Sequence, residues 1–463
     1  MDNENNKLPS SFRDPSGFLF IEDGKLYRQI NQCYASNYKK LLVSGLYKVL
    51  TKKKYLINHS EVDQESVINK GVFKIIKPEF VPFISYPYEW CFSELKDAAL
   101  LTLEIQKIAI AHDLSLKDAS AYNIQFYKGK PILIDTLSFE KYEENRPWVA
   151  YKQFCQHFLA PLALMRYKDI RLNQLLKIYI DGIPLSLASE LLPKRTYLRF
   201  PLLTHIHLHA KSQEKYSDKT IDINSKKISK FQLLALIDNL KSFIKNLNLP
   251  RIKTEWRDYY DNTNYTKVAR EDKKRIIEKF VLEIKPRSVW DLGANTGFFS
   301  RITSRKDINT ISFDIDPSAV EMNYSEMKKN NEQSILPLVM DLTNPSPSIG
   351  WGNAERNSLT ERGPVDLVMA LALVHHLAIS NNTPLERIAK FFSKLGKYLI
   401  IEWIPKEDSN TQRLLRTRGD IFKKYNQEEF EKEFAKFFDI KEKMKIKDSK
   451  RILYLMGMIP PLQ

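Results

Sequence analysis

Apolar positions change period several times along the chain, and each change marks an element. In SGFLFIEDGKLYRQI two apolar-aromatic runs flank Asp23-Gly24, which predicts a β-hairpin. Helical spacing follows from about Tyr34 to Leu50, then two strand-like runs, VFKII and FVPFISY, interrupted by Pro78. From Phe92 to about His112 apolar residues recur at three and four, predicting one long helix, and Trp148 to about Leu192 is helix-rich. After His209 the chain reads AKSQEKYSDKTIDINSKK, charged and nearly free of large apolar residues, which places a domain boundary there. An amphipathic helix is expected over Ile228 to Leu247, with Phe231, Leu234, Ile237, Leu240 and Ile244 on one face. The expected division is therefore an α+β domain over 1–210, a charged linker and helix over 211–250, and a second domain over 251–463.

From about Arg251 strands alternate with helices, the order that a doubly wound parallel sheet requires, so the second domain is expected to be α/β. The strand candidates are Ser288 to Asp291, Thr310 to Phe313, Ile335 to Val339, Val365 to Ala370 and Tyr398 to Glu402, with two final runs, DIKEKMKI and RILYLMGM. The irregular stretch TNPSPSIGWGNAERNSLTERG is expected to form a loop near the ligand face.

Composition adds bounds. The 463 residues carry 72 Lys+Arg against 56 Asp+Glu, a formal net charge of +16, spread through the chain. This favours acidic partners only weakly and keeps a nucleic-acid acceptor as a rival that is not favoured. No apolar run is long enough for a membrane span, the opening MDNENNKLPSSFRD is not a signal peptide, and Cys33, Cys91 and Cys155 are few and far apart. A cytoplasmic protein without a disulfide framework or a metal site is expected.

Candidate chemistry centres on VWDLGANTGFFS. Gly293 and Gly297 let the backbone approach a ligand directly after a buried strand, and Asp291 stands at the strand tip. The next strand ends in SFDID, where Asp314 can accept ribose hydroxyls, so a nucleoside cofactor follows. Asn295 stands where the dinucleotide fingerprint needs its middle glycine. The spacing D-L-G-A-N-T-G instead resembles the loop of class I S-adenosylmethionine-dependent methyltransferases. That resemblance continues at MDLT, where Asp341 matches an acidic residue near the adenine amino group, and at VDLVMALALVHHL, which begins with Asp366 and ends at His375 and His376. It implies a seven-stranded Rossmann-like sheet and S-adenosyl-L-methionine held by Asp291, Gly293, Asn295, Gly297, Asp314 and Asp341. Methyl transfer needs an aligned nucleophile, and a base only where that nucleophile holds its proton. His375 and His376 are candidate bases, weighed about evenly against packing under the adenine and capping the loop. Glu402 and Trp403 in LIIEW are the candidate opposite wall, and Glu402 is counted with the two histidines as catalytic. The Asn/Asp-Pro-Pro-aromatic signature of nucleobase amino methylation is absent, which leaves a hydroxyl or amine acceptor. Trp256, Tyr259, Tyr260 and Tyr265 would lid the cofactor or pack on the sheet edge.

In the first half, SLKDASAYNIQFYKGKPILIDTLSFE spaces Asp118, Asn123 and Asp135 as in protein kinases, where they position a hydroxyl and hold magnesium. The glycine-rich loop and the V-A-I-K lysine are missing, and the first helical segment holds no glutamate. A kinase-like fold used for binding is therefore expected over an active phosphotransferase. His205, His207 and His209 would face one way on a strand and could ligate a metal, but packing is the better expectation. Taken whole, through FRDPSGFLF, ISYPYEW, LKDASAYN, FCQHFLAPLAL and IEWIPKEDSNTQRLLRTRGDIF, the chain resembles bacterial two-domain methyltransferases related to host-specific nodulation proteins. The acceptor this implies is a small molecule, with a hint of carbohydrate. The rivals are an RNA-directed methyltransferase and a cofactor-binding scaffold without turnover.

Overall fold

The computed structural model describes residues 7–62, 71–210, 227–250, 266–416 and 420–460. Two compact units are present, Met1–Arg251 with Ser348–Arg356, and Ile252–Pro347 with Asn357–Gln463. The middle of the irregular stretch expected near the ligand face thus belongs to the first unit, where Glu355 is buried and its Oε1 accepts from Arg13 Nε at 2.7 Å.

The first unit begins with strands β1 (Gly17–Glu22) and β2 (Lys25–Asn31), joined at Asp23-Gly24, where both residues take positive φ as a tight hairpin demands. Strands β3 (His59–Val62) and β4 (Val72–Pro78) complete an antiparallel sheet ordered β1-β2-β4-β3. The single helix expected over Tyr34 to Leu50 is two, α1 (Ala35–Val43) and α2 (Leu46–Lys52), because Gly45 turns left-handed at φ +77 between them. FVPFISY is not a strand: Pro82 cannot donate to a ladder, and only the VFKII run pairs. Helix α3 (Phe92–Ala111) is buried on most sides, and the helix Lys230–Asn246 lies against it, with Lys107 Nζ 2.7 Å from Asp238 and Lys241 paired to Glu104. That second helix buries Leu233, Ile237, Leu240 and Ile244 but leaves Phe231 81 % exposed, so the apolar stripe is rotated from the expected one. THIHLHA is helical, not extended: Leu203–His207 forms a π-helical turn. His205 contacts the Tyr151 hydroxyl at 2.6 Å and Asn239 at 3.2 Å, while His207 contacts Ser189 and Thr196, so both are packing groups.

After the short strands β5 (Leu114–Leu116), β6 (Ile124–Tyr127), β7 (Lys130–Leu133) and β8 (Phe139–Lys141), the second unit builds one seven-stranded sheet. Its strands are β9 (Ser288–Leu292), β10 (Asn309–Asp314), β11 (Ile335–Val339), β12 (Val365–Ala370), β13 (Gly396–Trp403), β14 (Phe438–Lys445) and β15 (Ile452–Met458). The order is β11-β10-β9-β12-β13-β15-β14, with β15 antiparallel to both of its neighbours. The five parallel strands, β11-β10-β9-β12-β13, are apolar nearly throughout because helices cover both faces. One covering helix, Lys267–Ile284, buries Ile276, Ile277, Phe280 and Val281 against Val289, Leu367 and Ile400. The edge strand β14 alternates buried and exposed, and its outward Lys441, Lys443 and Lys445 discourage further pairing. Two strands leave β9 on one side and the chain returns to β12 on the other, so the crevice lies beyond the carboxyl ends of β9 and β12.

Behind β13 an aromatic cluster centres on Phe430, fully buried with ring centroids 4.9 Å from Trp403, 4.4 Å from Phe434 and 5.2 Å from Tyr454. Phe430→Ala should cost about 3–5 kcal/mol in equilibrium urea unfolding, since three flat rings cannot collapse into the space. A loss under about 1 kcal/mol would show that the cluster is not packed in this way.

Candidate functional site

The turn after β9 is built for close approach. Gly293, Asn295 and Gly297 have φ of +76, +52 and +77, a region that side chains other than Asn and Asp seldom tolerate. A Cβ at Gly297 would lie 2.5 Å from the Asn323 amide, and one at Gly293 would lie 3.3 Å from Leu373. The turn is tied to β10: the Phe313 carbonyl accepts from the Gly293 and Ala294 amides, and Asp314 Oδ2 accepts from the Asn295 amide at 2.7 Å. Asp314 Oδ1 accepts from the Asp316 amide at 2.9 Å, so the carboxylate is aimed, with lone pairs to spare. Asp341 Oδ1 accepts from the amide and hydroxyl of Thr343 at the end of β11.

Asp291 is 1 % exposed. Its Oδ2 accepts from the Ser300 hydroxyl at 2.6 Å and its Oδ1 has no hydrogen-bond partner among the described residues. Burial pushes its carboxyl up from an ordinary 3.8 to about 7, partly offset by Ser300 and the Lys273 charge. Burial also raises Asp314, to about 6, against the backbone amides that hold it. The strand tips therefore bring Asp291, Gly293, Asn295, Gly297 and Asp314 together, with Asp341 following at the tip of β11.

His375 and His376 follow β12, with ring centroids 4.1 Å apart. His375 is buried with neither ring nitrogen partnered among the described residues, and burial holds its pKa well below the ordinary value. His376 opens a π-helical turn, and burial, with the nearby Arg451 charge, lowers it to about 4. Both imidazoles are neutral near pH 7. Glu402 does not stand on an open wall. It is fully buried, with Oε2 accepting from Lys273 Nζ at 2.6 Å and from the Ala372 amide at 2.8 Å, and Oε1 facing Arg451 at 3.4 Å. Arg451 in turn pairs with Asp408 at 2.8 Å. Trp403 is buried in the aromatic cluster, and Asp366 lies at the amino end of β12, paired with Lys397 at 2.9 Å. Trp256, Tyr259, Tyr260 and Tyr265 lie outside the described residues.

The sequence reading missed Lys273, Arg451 and Leu373. The signal for Lys273 was a lysine on the apolar stripe of its helix, between Ala269 and Ile276-Ile277, where a charge needs a buried partner. Ile315 was also missed, an apolar side chain 56 % exposed beside Asp314, suited to the flat face of a purine.

In the first unit Asp118 Oδ1 accepts from the Ser120 amide, and burial and the neighbouring Asp135 charge raise its carboxyl. Asp135 is closed: Oδ1 takes Arg28 at 2.7 Å and the Leu137 amide, and Oδ2 takes the Ser138 hydroxyl. The Asn123 amide donates to Ser138 Oγ at 3.4 Å. Arg28, on β2 ahead of α1, is a partner of Asp135 that the sequence did not signal.

No family model matches the chain. It is 34 % identical over 456 residues to the nodulation protein NoeA of Rhizobium meliloti (strain 1021), covering 97 % of this chain and 95 % of that protein. Among solved structures, the bifunctional kinase-methyltransferase WbdD aligns at 15 % identity and a TM-score of 0.29, over 47 % of this chain and 45 % of WbdD. The magnesium protoporphyrin IX methyltransferase ChlM of Synechocystis PCC 6803 with bound SAH aligns at 14 % identity and a TM-score of 0.31, over 44 % of this chain and 93 % of ChlM.

Between about pH 4 and 7 the unfolded chain ionises Asp291 while the folded chain does not, so this carboxyl makes stability fall as pH rises through that window. Asp291→Asn keeps an acceptor for Ser300 and removes that slope. Relative to the parent, it should gain about 1 kcal/mol or more between pH 5 and pH 8 in urea midpoints. An equal difference at both pH values would contradict burial of a poorly compensated carboxyl.

Proposed function

The chain belongs to the family of the nodulation protein NoeA, and on that footing we propose that it is an S-adenosyl-L-methionine-dependent methyltransferase acting on a hydroxyl or amine of a small-molecule or carbohydrate acceptor. The observation that carries this is the left-handed Gly293-Asn295-Gly297 turn, latched to Asp314 and bordered by the unpartnered Oδ1 of Asp291.

The residues fit the cofactor. Asp291 Oδ1 is a buried acceptor that gains from an amino acid ammonium, which would also return its carboxyl to the charged form. Asp314 offers its remaining lone pairs to ribose hydroxyls, Ile315 an apolar face to the adenine, and Asp341 an acceptor at the next strand tip. The glycines leave the space that a Cβ would fill. When bound, S-adenosyl-L-methionine supplies an electrophilic methyl on a sulfonium. The chain's own part is to align the acceptor, exclude water and take a proton. His376, neutral and less deeply buried than His375, is the residue assigned to take that proton. Glu402 is a positioning residue: it holds the amide of Ala372, which has φ +51, and so sets Leu373 against Gly293.

For the first unit the reading is a kinase-like fold that binds without phosphotransfer. Arg28 stands on the strand before α1, where an active kinase keeps its lysine, and it neutralises Asp135 itself. Among the described residues the three cysteines form no disulfide, which suits a reducing cytoplasm.

Calorimetric titration of the full chain with S-adenosylhomocysteine should give single-site binding. Asp314→Ala, which frees both the Asn295 and Asp316 amides, should weaken it by about a hundredfold, the equivalent of two charge-assisted hydrogen bonds, while leaving the circular dichroism spectrum unchanged. ATP-Mg should give no heat. No binding of S-adenosylhomocysteine to the folded chain would overturn the methyltransferase reading.

A further inference from the structure

Beside the carboxyl end of β13 the second unit carries a cavity of about 670 Å³, bounded by Ala269, residues 407–409 and the β14–β15 turn. Ala269 and Ile446 are its apolar members and no aromatic ring lines it, so it suits neither a greasy nor a flat aromatic molecule. Lys445, Lys447 and Lys450 line it; the Lys447 charge acts on Asp272, yet among the described residues none of the three takes a carboxylate partner at ion-pair distance. Nearby lysines do: Lys443 sits 3.1 Å from Glu431, Lys441 3.3 Å from Asp439, and Lys279 pairs with Glu442. Glu407 and Asp448 face the same space, and Asp408 is already engaged by Arg451, so the lining keeps an excess of positive charge.

The walls are fixed and are linked to the donor turn through buried side chains. The Lys447 amide donates to Asp272 Oδ2 at 3.0 Å, and the Ile446 amide to the Arg451 carbonyl at 3.0 Å. Arg451 lines the cavity and faces Glu402, which holds the Ala372 amide next to Leu373 and Gly293. The buried Arg451–Glu402 pair therefore stands between the cavity and the turn assigned to the methyl donor, so the cavity suits the anchoring end of a molecule whose reacting atom extends past that pair.

We propose that this cavity anchors one end of the methyl acceptor, and that this end of a polar small molecule is a compact oxyanion, phosphate or carboxylate, held by Lys445, Lys447 and Lys450. The proposal rests on the methyltransferase reading. A lysine ammonium is a compact charge with three donors, suited to a tetrahedral or carboxylate oxyanion without bidentate geometry. The remaining carboxylates, Glu407 and Asp448, then serve acceptor hydroxyls.

The test loads the full chain with S-adenosylhomocysteine and titrates it calorimetrically with inorganic pyrophosphate and, separately, with citrate at physiological ionic strength. Single-site binding of at least one anion is expected, weakened about tenfold or more in the triple variant K445Q/K447Q/K450Q. The charge-matched variant K306Q/K329Q/K390Q, on exposed lysines elsewhere in the unit, should bind as the parent does, and both variants should keep the parent affinity for S-adenosylhomocysteine. The tighter of the two anions identifies the phosphate or the carboxylate form. Equal loss in both variants would reduce the effect to net charge and overturn the proposal. Absence of anion binding by the loaded chain would overturn it while leaving the donor site standing, and failure to load S-adenosylhomocysteine would remove both.

Discussion

The second unit depends on one buried carboxylate. Glu402, at the end of β13, has no exposure and is surrounded by Lys273, Arg451 and the Ala372 amide. Removing one partner from such a group costs about 3–5 kcal/mol, because the remaining charge has no water to return to. The network therefore fixes three elements at once: the helix Lys267–Ile284 through Lys273, the β14–β15 turn through Arg451, and the strand-to-loop junction after β12 through Ala372. Its local consequence is backbone strain. A left-handed alanine costs about 1–2 kcal/mol, and a hydrogen bond from its amide to a buried carboxylate returns about 1.5–3, so the turn at Ala372 holds its shape.

That junction sets what lies opposite the glycine turn. Leu373 covers Gly293, and the two histidines follow on the next turn, both neutral through burial. Against them stand Asp291 and Asp314, two acids whose carboxyls burial has raised toward neutral pH. The balance is uneven. Asp314 is held by backbone amides that favour its charged form, whereas one oxygen of Asp291 has no hydrogen-bond partner among the described residues. A cationic ligand group gains more at Asp291 than at a solvated carboxylate, since it relieves a desolvation already present in the free protein.

The sheet was legible because a doubly wound unit repeats two periods: all five parallel strand candidates and both final runs appear within two residues of their expected bounds. The glycine turn was legible because only Gly and Asn tolerate its backbone. What escaped was set by tertiary partners. Glu402 reads in LIIEW as a pocket carboxylate, and only its distant partners, Lys273 and Arg451, make it an internal anchor. Phe231 fits the helical period as well as Leu233 does, and packing against α3 chose the latter. One glycine split the expected helix at Gly45, and FVPFISY has strand-like residues without a neighbour to pair with. The middle of the Pro- and Ser-rich insertion joins the first unit through Glu355 and through Arg356, which sits 4.5 Å from the Tyr122 ring, a pairing no local pattern announces.

Asp135 in the first unit and Asp291 in the second are held differently, and this decides which of the two is poised for a cationic ligand group. In the first, Asp135 has both oxygens taken, one of them by a guanidinium that cannot lose its proton, so a cation must displace an ion pair to enter. In the second, Asp291 is buried, half-partnered and pushed toward the neutral form, so a cation entering there restores a charge and displaces no ion pair of Asp291 itself. Binding energy at the second site is therefore available for holding a ligand, while at the first much of it would go into breaking what is already made. The asymmetry favours Asp291 over Asp135 as a partner for a cationic ligand group.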